Sequence, residues 1–211
     1  MRFLAIMISS LLIVGGASAG PAAANGTTIV AFGDSLTAGY GLDPGEGFPD
    51  QLQQVLRAKG HDVNVIDAGV SGDTTAGGLA RLDWSIGDNA DAVILELGAN
   101  DALRGVAPEE TRKNLAAMLE KLKERGLPVL LAGMLAPPNM GPEYGRAFNA
   151  IYPDLAKEYG VPLYPFFLDG VAGDPALNLG DGMHPTGAGV AVIVKGILPD
   201  VEALLAEANA R

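Results

Sequence analysis

After residue 27 the sequence alternates short apolar runs with longer segments of helical periodicity, and this alternation restricts the chain to few folds. The apolar runs predict five strands, which are Thr28–Phe32, Val63–Asp67, Ala92–Gly98, Pro128–Gly133 and Val161–Tyr164. Five helices are predicted near residues 48–59, 74–86, 108–125, 146–159 and 187–207. Because strand-then-helix units connect by right-handed crossovers, the pattern predicts an α/β fold whose parallel sheet is covered by helices on both faces.

The first 24 residues are expected to lie outside this fold. Arg2 is followed by an uncharged apolar run and then by small residues. This order is typical of a secretory signal peptide, with cleavage after Ala19 or Ala24. The apolar run is shorter than the roughly 20 residues that a transmembrane helix needs, so no stable membrane anchor is expected. We therefore expect an exported protein, periplasmic or secreted, in which residues 25–211 form a single domain.

Composition narrows the possible partners and cofactors. The chain carries 25 acidic against 14 basic residues, a formal net charge of -11, which argues against nucleic acid and anionic membrane surfaces as partners. It contains no cysteine, so packing rather than disulfides must stabilise an exported domain. The sequence shows neither a cluster of His, Cys and carboxylate residues nor a nucleotide-binding glycine motif. No metal and no other cofactor is therefore expected.

Polar, glycine-bearing segments follow four of the five predicted strands, and ligands of open parallel sheets bind beyond the carboxyl ends of the strands. The first strand is followed by "GDSLTAGYG" with Ser35, and the second by "AGVSGDTTAGG" with Gly72. The third is followed by "GANDALRG" with Asn100, and beyond the fifth lies "DGMHPTGAG" with Asp181 and His184. These loops predict a site that combines a nucleophile, an amide and an Asp/His pair at one edge of the sheet.

The sequence contains two histidines, and their positions distinguish them. His61 precedes a predicted strand, so it is expected at the opposite edge of the sheet as a solvated turn residue. His184 follows Asp181 by three residues, a spacing that lets the carboxylate accept a hydrogen bond from the imidazole if the loop curls back. With Ser35 this pair has the composition of a Ser-His-Asp triad. The alternative for "DGMHPTG" is a plain turn followed by Thr186 as a helix cap.

Ester hydrolysis also requires donors for the oxyanion that forms on the attacked carbonyl. The backbone N–H groups of Ser35 and Gly72 and the side chain of Asn100 are candidates. A tight turn at Gly72 and an Asx-type turn at Asn100 are the structural alternatives.

The four segments, taken together and in this order, resemble the motifs of the SGNH (GDSL) hydrolase family, including its small bacterial arylesterases and acyl-CoA thioesterase/lysophospholipase enzymes. The resemblance extends from residue 28 to about residue 205. It implies a flavodoxin-like, three-layer α/β/α sandwich with a five-stranded parallel sheet. It also implies that Ser35 is the nucleophile, that His184 is first the general base and then the acid, and that Asp181 orients it. The oxyanion hole would comprise Ser35, Gly72 and Asn100.

Several further residues carry weaker expectations. Asp34 and Asp101 are expected to hold the loops of the site. Glu96, inside an otherwise apolar strand, is expected to be structural, with a partner that the sequence does not identify, and Trp84 is expected to pack within its helix. Position along the chain suggests that the walls of the substrate groove include the apolar residues Leu103, Val106, Leu135, Pro138 and Met140.

The function expected from these observations is a metal-independent serine hydrolase that cleaves carboxylic esters and thioesters through an acyl-enzyme. Its partner would be a small-molecule acyl ester or thioester, with short-to-medium acyl esters, aryl esters and acyl-CoA as first choices. A lysophospholipase and a carbohydrate O-acetyl esterase are alternatives within the class. A non-catalytic acyl- or glycan-binding module is the alternative outside it, and the intact motifs argue against it. The sequence is compatible with a monomer and leaves the oligomeric state open.

Overall fold

The computed structural model describes residues 26–211, so the predicted signal peptide at residues 1–24 lies outside the described residues. Five parallel strands form one sheet in the order β2-β1-β3-β4-β5, which is the flavodoxin-like order. The strands are β1 (Thr27–Gly33), β2 (Val63–Gly69), β3 (Ala92–Glu96), β4 (Val129–Ala132) and β5 (Leu163–Tyr164). Each overlaps a predicted strand, so the predicted parallel α/β sheet is confirmed.

Eight α-helices and a short 3₁₀ helix connect and follow the strands within residues 26–211. The helices are α1 (Ser35–Ala38), α2 (Phe48–Ala58), α3 (Thr75–Ser85), α4 (Ala99–Leu103), α5 (Pro108–Glu124), α6 (Pro142–Asn149), α7 (Ile151–Tyr159) and α8 (Gly187–Asn209), with the 3₁₀ helix at Pro138–Met140. The single helix predicted near 146–159 is two helices that meet at Ala150. Pro153 lacks the N–H that a continuous helix would donate to the carbonyl of Asn149, which accounts for the break.

The helices form two layers around the sheet. On one side α2 packs against α8, and on the other α5 packs against both α3 and α7. All residues of β3 and all but the first residue of β1 are buried, as expected for strands at the centre of a sheet that is covered on both faces. The described chain is therefore the predicted three-layer α/β/α sandwich.

Two glycines allow the first helix to sit directly on the ends of β1 and β2. A Cβ atom at Gly33 would collide with Thr37 Oγ1 and lie 2.5 Å from Glu96 Oε2, and one at Gly69 would collide with the backbone of Ala38. Only a residue without a side chain permits this close approach. The glycines therefore fix where α1, and with it Ser35, stands on the sheet.

The prediction for Trp84 is wrong. The buried residues of α3 are Thr75, Gly78, Arg81 and Leu82, which share one face of the helix. Trp84 falls on the other face and its side chain is 75% exposed. The helical spacing, rather than the size of the residue, decides its position.

Across residues 26–211, no helix combines the length and the apolar character that crossing a bilayer demands.

Candidate active site

Ser35 stands at the junction of strand and helix, as the first residue of α1 immediately beyond β1. Asp34 caps this helix, because its Oδ1 accepts a hydrogen bond from the N–H of Leu36 at 3.0 Å. The helix ends after a single turn at Gly39, whose φ of 68° is left-handed. The serine is 9% exposed and lines a cavity. The end of a central strand and a capped turn together hold its hydroxyl at the carboxyl edge of the sheet.

Asp181 and His184 are connected by hydrogen bonds within the loop that precedes α8. Asp181 Oδ1 accepts hydrogen bonds from the backbone N–H groups of Met183 at 2.9 Å and His184 at 3.0 Å. Its Oδ2 lies 2.6 Å from His184 Nδ1, and His184 Nε2 lies 2.9 Å from Ser35 Oγ. The three side chains therefore form a continuous Asp–His–Ser chain of hydrogen bonds across a sequence separation of 149 residues between His184 and Ser35.

The charge state of Asp181 determines the direction of these hydrogen bonds. The backbone N–H groups of His184 and Met183, together with the imidazole, lower the pKa of the Asp181 carboxyl to about 2. The ionised carboxylate has no proton to donate, so the Nδ1–H of His184 must be the donor. In the neutral imidazole the lone pair of Nε2 then faces the hydroxyl of Ser35, and this arrangement can accept the serine proton.

Asn100, the second residue of α4, reaches the turn that carries the serine. Its Nδ2 donates to Asp34 Oδ2 at 2.9 Å, and the residue lines the same cavity as Ser35 and His184. An amide nitrogen carries two hydrogens, so one can hold Asp34 while the second remains for a ligand. Complete burial of Asp34 raises its pKa to about 6, against the opposing effect of the hydrogen bonds from Leu36 and Asn100.

Gly72 lies in the loop after β2 with a φ of 80°, and its carbonyl accepts a hydrogen bond from Arg104 Nη2 at 2.7 Å. It is not among the residues that line the cavity. The structure therefore brings Ser35, Asn100, Asp181 and His184 together, whereas the contribution of the Gly72 N–H stays a prediction.

Glu96, for which the sequence offered no partner, supports the turn that carries the serine. Its Oε2 accepts hydrogen bonds from Thr37 Oγ1 at 2.8 Å and from the N–H of Asp34 at 3.3 Å. No hydrogen-bond partner of Oε1 is found within residues 26–211. Burial and the neighbouring Asp34 raise the pKa of Glu96 well above its ordinary value. This buried carboxyl therefore lies beneath α1 and holds Asp34, the residue that precedes the proposed nucleophile.

Asp101 connects three helices behind Asn100. Its carboxylate accepts hydrogen bonds from the N–H of Thr75 at 2.8 Å, from Thr75 Oγ1 at 2.5 Å and from Thr111 Oγ1 at 3.2 Å. These bonds join the starts of α3 and α5 to α4, which fixes the helix on which Asn100 is carried.

Arg81, buried on α3, is a structural residue that the sequence reasoning missed. Its guanidinium donates to the carbonyls of Gly33 at 2.7 Å and Ala68 at 2.8 Å, and to Asp73 Oδ2 at 2.7 Å. It also lies 4.0 Å from the centre of the Phe32 ring. One side chain thus joins the ends of β1 and β2 to the loop that contains Gly72. Its place on the buried face of the predicted helix, between Gly78 and Leu82, was the available signal.

A cavity of about 510 Å³ opens beside Ser35 and His184. Leu103, Leu135 and Pro138 line it, as the sequence suggested. Val106 and Met140 do not, and the carbonyl of Val106 instead accepts a hydrogen bond from the hydroxyl of Tyr144 at 2.8 Å. Most of the remaining wall is also apolar and comes from the short helices α1 and α4 and from several loops: Leu36, Ala99, Met134, Ala136, Pro137, Phe166, Leu168, Ala172 and Met183. Four of these residues belong to the long segment before α8, which the sequence did not assign to the wall.

The second histidine, His61, lies far from the Asp–His–Ser chain of hydrogen bonds. His61 precedes β2, at the amino edge of the sheet, and its Nε2 is 3.2 Å from Glu202 Oε1 on α8. Lys59 Nζ shares the same carboxylate oxygen at 3.0 Å. In the part of the chain that the structure describes, no group of three or more His, Asp or Glu side chains is arranged to hold a metal ion.

Comparisons with known proteins find relatives that match most of this chain. The profile of the GDSL-like Lipase/Acylhydrolase family matches residues 31–192. The chain is 42% identical to Esterase TesA of Pseudomonas aeruginosa over 179 residues, which cover 84% of this chain and 89% of that protein. It is 40% identical to the thioesterase 1/protease 1/lysophospholipase L1 of Escherichia coli K12 over 164 residues, 77% of each chain. AlinE4, a solved SGNH-hydrolase family esterase, is 49% identical, with 84% of this chain and 96% of that chain covered and a TM-score of 0.72.

Proposed function

The chain belongs to the GDSL-like lipase/acylhydrolase family and is an esterase or thioesterase of the SGNH type, and on that premise we propose that it cleaves acyl esters and thioesters through an acyl-enzyme formed on Ser35. The observation that supports this mechanism best is the continuous chain of hydrogen bonds from Asp181 through His184 to Ser35, with 2.6 Å and 2.9 Å between the atoms involved. The cavity of about 510 Å³ beside the serine provides the space for the acyl group.

Acylation follows from the direction of these bonds. His184 Nε2 takes the proton from Ser35 Oγ as the oxygen attacks the carbonyl carbon of the substrate. The carboxylate of Asp181 keeps the imidazole in the correct tautomer and stabilises its positive charge. When the tetrahedral intermediate collapses, His184 gives the proton to the departing alcohol or thiol. Water then repeats the sequence on the acyl-enzyme with the same base, releasing the acid and restoring Ser35.

The oxyanion of the intermediate requires preorganised donors, and two groups of the site are the first candidates for this role. The N–H of Ser35 is at the first position of a helix, where no carbonyl of the same helix can accept it. The second hydrogen of Asn100 Nδ2 is free of the bond to Asp34. The Gly72 N–H is the proposed third donor. Losing one such donor typically lowers kcat by about 10²- to 10³-fold.

The wall of the cavity indicates the class of substrate. Its residues are mostly aliphatic, aromatic or proline, and this surface suits an acyl chain or an aryl group better than a hydrated sugar. Short-to-medium acyl esters, aryl esters and acyl-CoA thioesters are therefore the proposed substrates. A lysophospholipid shares the apolar acyl chain and differs in its leaving group, whereas a carbohydrate O-acetyl ester would leave most of the cavity unfilled.

The proposal includes export of the enzyme from the cytoplasm. The order of charged, apolar and small residues before residue 25 predicts a cleaved signal peptide, which would deliver the enzyme to the periplasm or the medium. The N-terminal sequence of protein recovered from the periplasm or medium of an expressing bacterium tests this directly. Protein that starts at residue 20 or 25 supports export, and protein found only in the cytoplasm with residues 1–24 retained contradicts it.

The mechanism is tested by hydrolysis of p-nitrophenyl esters from acetate to palmitate and of acyl-CoA thioesters. Because the chain has no cysteine, the CoA released can be measured with a thiol reagent without background from the enzyme. Ser35→Ala should lower kcat on every substrate by at least about 10³-fold. Ser85→Ala, the same substitution at the far end of α3, removes one of several hydrogen bonds of Arg81, at 3.2 Å, and should stay within about two-fold of the wild-type rate. Turnover that survives in Ser35→Ala would refute the proposed nucleophile.

A further inference from the structure

Tyr40 makes a contact with His184 that the mechanism above does not use. The centres of the two rings lie 4.6 Å apart and their planes are inclined by 41°. Tyr40 is nevertheless 53% exposed, so about half of its surface stays in contact with solvent. Burial therefore does not account for its position, and the contact with the imidazole becomes the feature to explain.

Contacts of the backbone at Tyr40 and at the next residue hold Tyr40 beside His184. Its N–H donates to the carbonyl of Ser35 at 3.1 Å, so the residue is joined to the nucleophile's own peptide unit. Next to it, a Cβ atom at Gly41 would lie 2.8 Å from Leu179 Cδ1, and the N–H of Leu179 donates to the carbonyl of His184 at 2.7 Å. The turn with Tyr40 and the loop with His184 therefore pack closely, and the aromatic contact spans the junction between them.

We propose that Tyr40 is a positioning residue for the reaction: its ring holds the imidazole of His184 between Asp181 and Ser35 and stabilises the positive charge that the imidazole acquires when it takes the serine proton. An aromatic ring attracts a cation within about 6 Å of its centre, and the separation of the rings falls inside this distance. The inference rests on the proposed function, in which His184 is the base.

Two other charged groups act on the same imidazole and a third lies near its loop, so the contribution of Tyr40 is a modest one. Asp181 bonds it from its own loop, and Asp34 acts on it from the turn after β1. Glu46 lies near the start of α8, where its carboxyl would be 3.0–3.2 Å from a Cβ atom at Gly187. All three remain in a Tyr40 variant. Removing the ring should therefore lower the plateau of kcat/KM by about two- to five-fold, as expected for a partly exposed cation–π contact.

The dependence of the rate on pH distinguishes this role from simple packing. If the ring favours the protonated imidazole, Tyr40→Leu should move the acid-side midpoint of the kcat/KM profile to lower pH by about 0.4 to 0.7 unit. The lower plateau and the shifted midpoint offset each other, so variant and wild type should reach similar rates at acidic pH. A loss caused by disordered packing would lower the rate by the same factor at every pH.

The experiment compares pH profiles of the wild type, Tyr40→Leu, Tyr40→Phe, Trp84→Leu and Ser35→Ala on one p-nitrophenyl ester. Tyr40→Phe keeps the ring and should stay within about two-fold of the wild type with its midpoint unmoved. Trp84→Leu removes an exposed aromatic residue from the distant end of α3 and should match the wild type.

Three results would overturn the inference while Ser35→Ala is inactive: an unchanged Tyr40→Leu profile, a lowered plateau without a shifted midpoint, or an equal loss in Tyr40→Phe. An active Ser35→Ala would instead refute the proposed function.

Discussion

Each edge of the sheet carries a histidine beside a carboxylate, and only one of the two pairs has the surroundings of a catalytic site. At the carboxyl edge His184 Nδ1 lies 2.6 Å from Asp181, and at the amino edge His61 Nε2 lies 3.2 Å from Glu202. Asp181 is fixed by two backbone N–H groups of its own loop, whereas Glu202 also binds the half-exposed Lys59. The first carboxylate orients the ring that it touches, and the second belongs to a solvated surface cluster.

The two pairs differ in what the second ring nitrogen of the histidine contacts. His184 Nε2 faces the hydroxyl of Ser35 at the entrance to an apolar cavity. His61 bonds Glu202 through Nε2 itself, and no nucleophile is bonded to its other nitrogen within residues 26–211. A histidine–carboxylate pair is therefore not by itself a sign of catalysis. The third group and the space beside it give the pair its proposed role.

The largest effect should come from removing the histidines in turn. His184→Ala deletes the proposed base and should lower kcat/KM on a p-nitrophenyl ester by at least about 10³-fold. His61→Ala should leave kcat/KM within about two-fold of the wild type, because its edge of the sheet faces away from the substrate. Equal losses in both variants would contradict the assignment of catalysis to the carboxyl edge of the sheet.

Replacing the two carboxylates should likewise lower the rate only at the carboxyl edge of the sheet. Asp181→Asn replaces an obligatory acceptor by an amide that can present N–H to Nδ1, favour the wrong tautomer and lower kcat by about 10²- to 10⁴-fold. Glu202→Gln should leave kcat unchanged. Because the pKa of Asp181 is about 2, its protonation should not limit the wild-type rate above about pH 4. Stopped-flow or steady-state rates of the wild type and the two variants from pH 4 to 9 measure both the loss of kcat and its dependence on pH.

Asparagine provides a third matched pair. Asn100→Ala removes a proposed oxyanion donor and should lower kcat by about 10²- to 10³-fold with little change in KM. Asn64, on the exposed side of β2, bonds Arg57 at 2.7 Å instead. Asn64→Ala should therefore retain the wild-type kcat. A change confined to KM in Asn100→Ala would place the residue in ground-state binding and contradict its role in the oxyanion hole.

The two edges should also affect stability with opposite dependence on pH. Burial raises the pKa of Asp34 from 3.8 to about 6, so the folded state binds its proton more tightly than the unfolded state does. Its contribution to the free energy of unfolding should therefore fall, by an amount on the order of 3 kcal/mol, as pH rises from about 4 to about 6. The pKa of Glu202 is lowered, first by its hydrogen bond to Lys59, so its contribution is present above the unfolded pKa and lost in acid.

Urea unfolding of the wild type, Asp34→Asn and Glu202→Gln at pH 4, 5, 6 and 7 tests these signs. The difference between the wild type and Asp34→Asn should change with pH in the direction given for Asp34. The difference for Glu202→Gln should be smaller and opposite. The same sign in both variants would show that Asp34 is not penalised by burial.

Most of the fold and the polar residues of the site could be predicted because their signals are local. The alternation of apolar runs marked the strands, and parallel strands necessarily bring the loops after them to one edge. Ser35 and Asn100 follow β1 and β3 within a few residues, and Asp181 and His184 lie in the long segment between β5 and α8. The turns α1 and α4 escaped prediction because four or five residues are too few to show a helical period.

The remaining features depend on contacts between distant segments. Glu96 meets Thr37 across 59 residues, and Arg81 meets the carbonyl of Gly33 across 48. Val106 was expected in the wall because of its place in the sequence, yet the structure turns its backbone toward Tyr144. Position along a loop does not state which side faces the cavity, and only the packed structure determines it.

The most direct test of the account is to identify the residue that becomes covalently modified. The enzyme would be treated with a p-nitrophenyl alkyl phosphonate, which mimics the tetrahedral intermediate and stays on the nucleophile. The release of p-nitrophenol and the mass of the intact protein and its peptides would then be measured. With Ser35 as the nucleophile, we expect one p-nitrophenol per chain, complete loss of esterase activity, and a single adduct on Ser35 that Ser35→Ala does not form. An adduct on another residue that abolishes activity, with Ser35 unmodified, would refute Ser35 as the nucleophile.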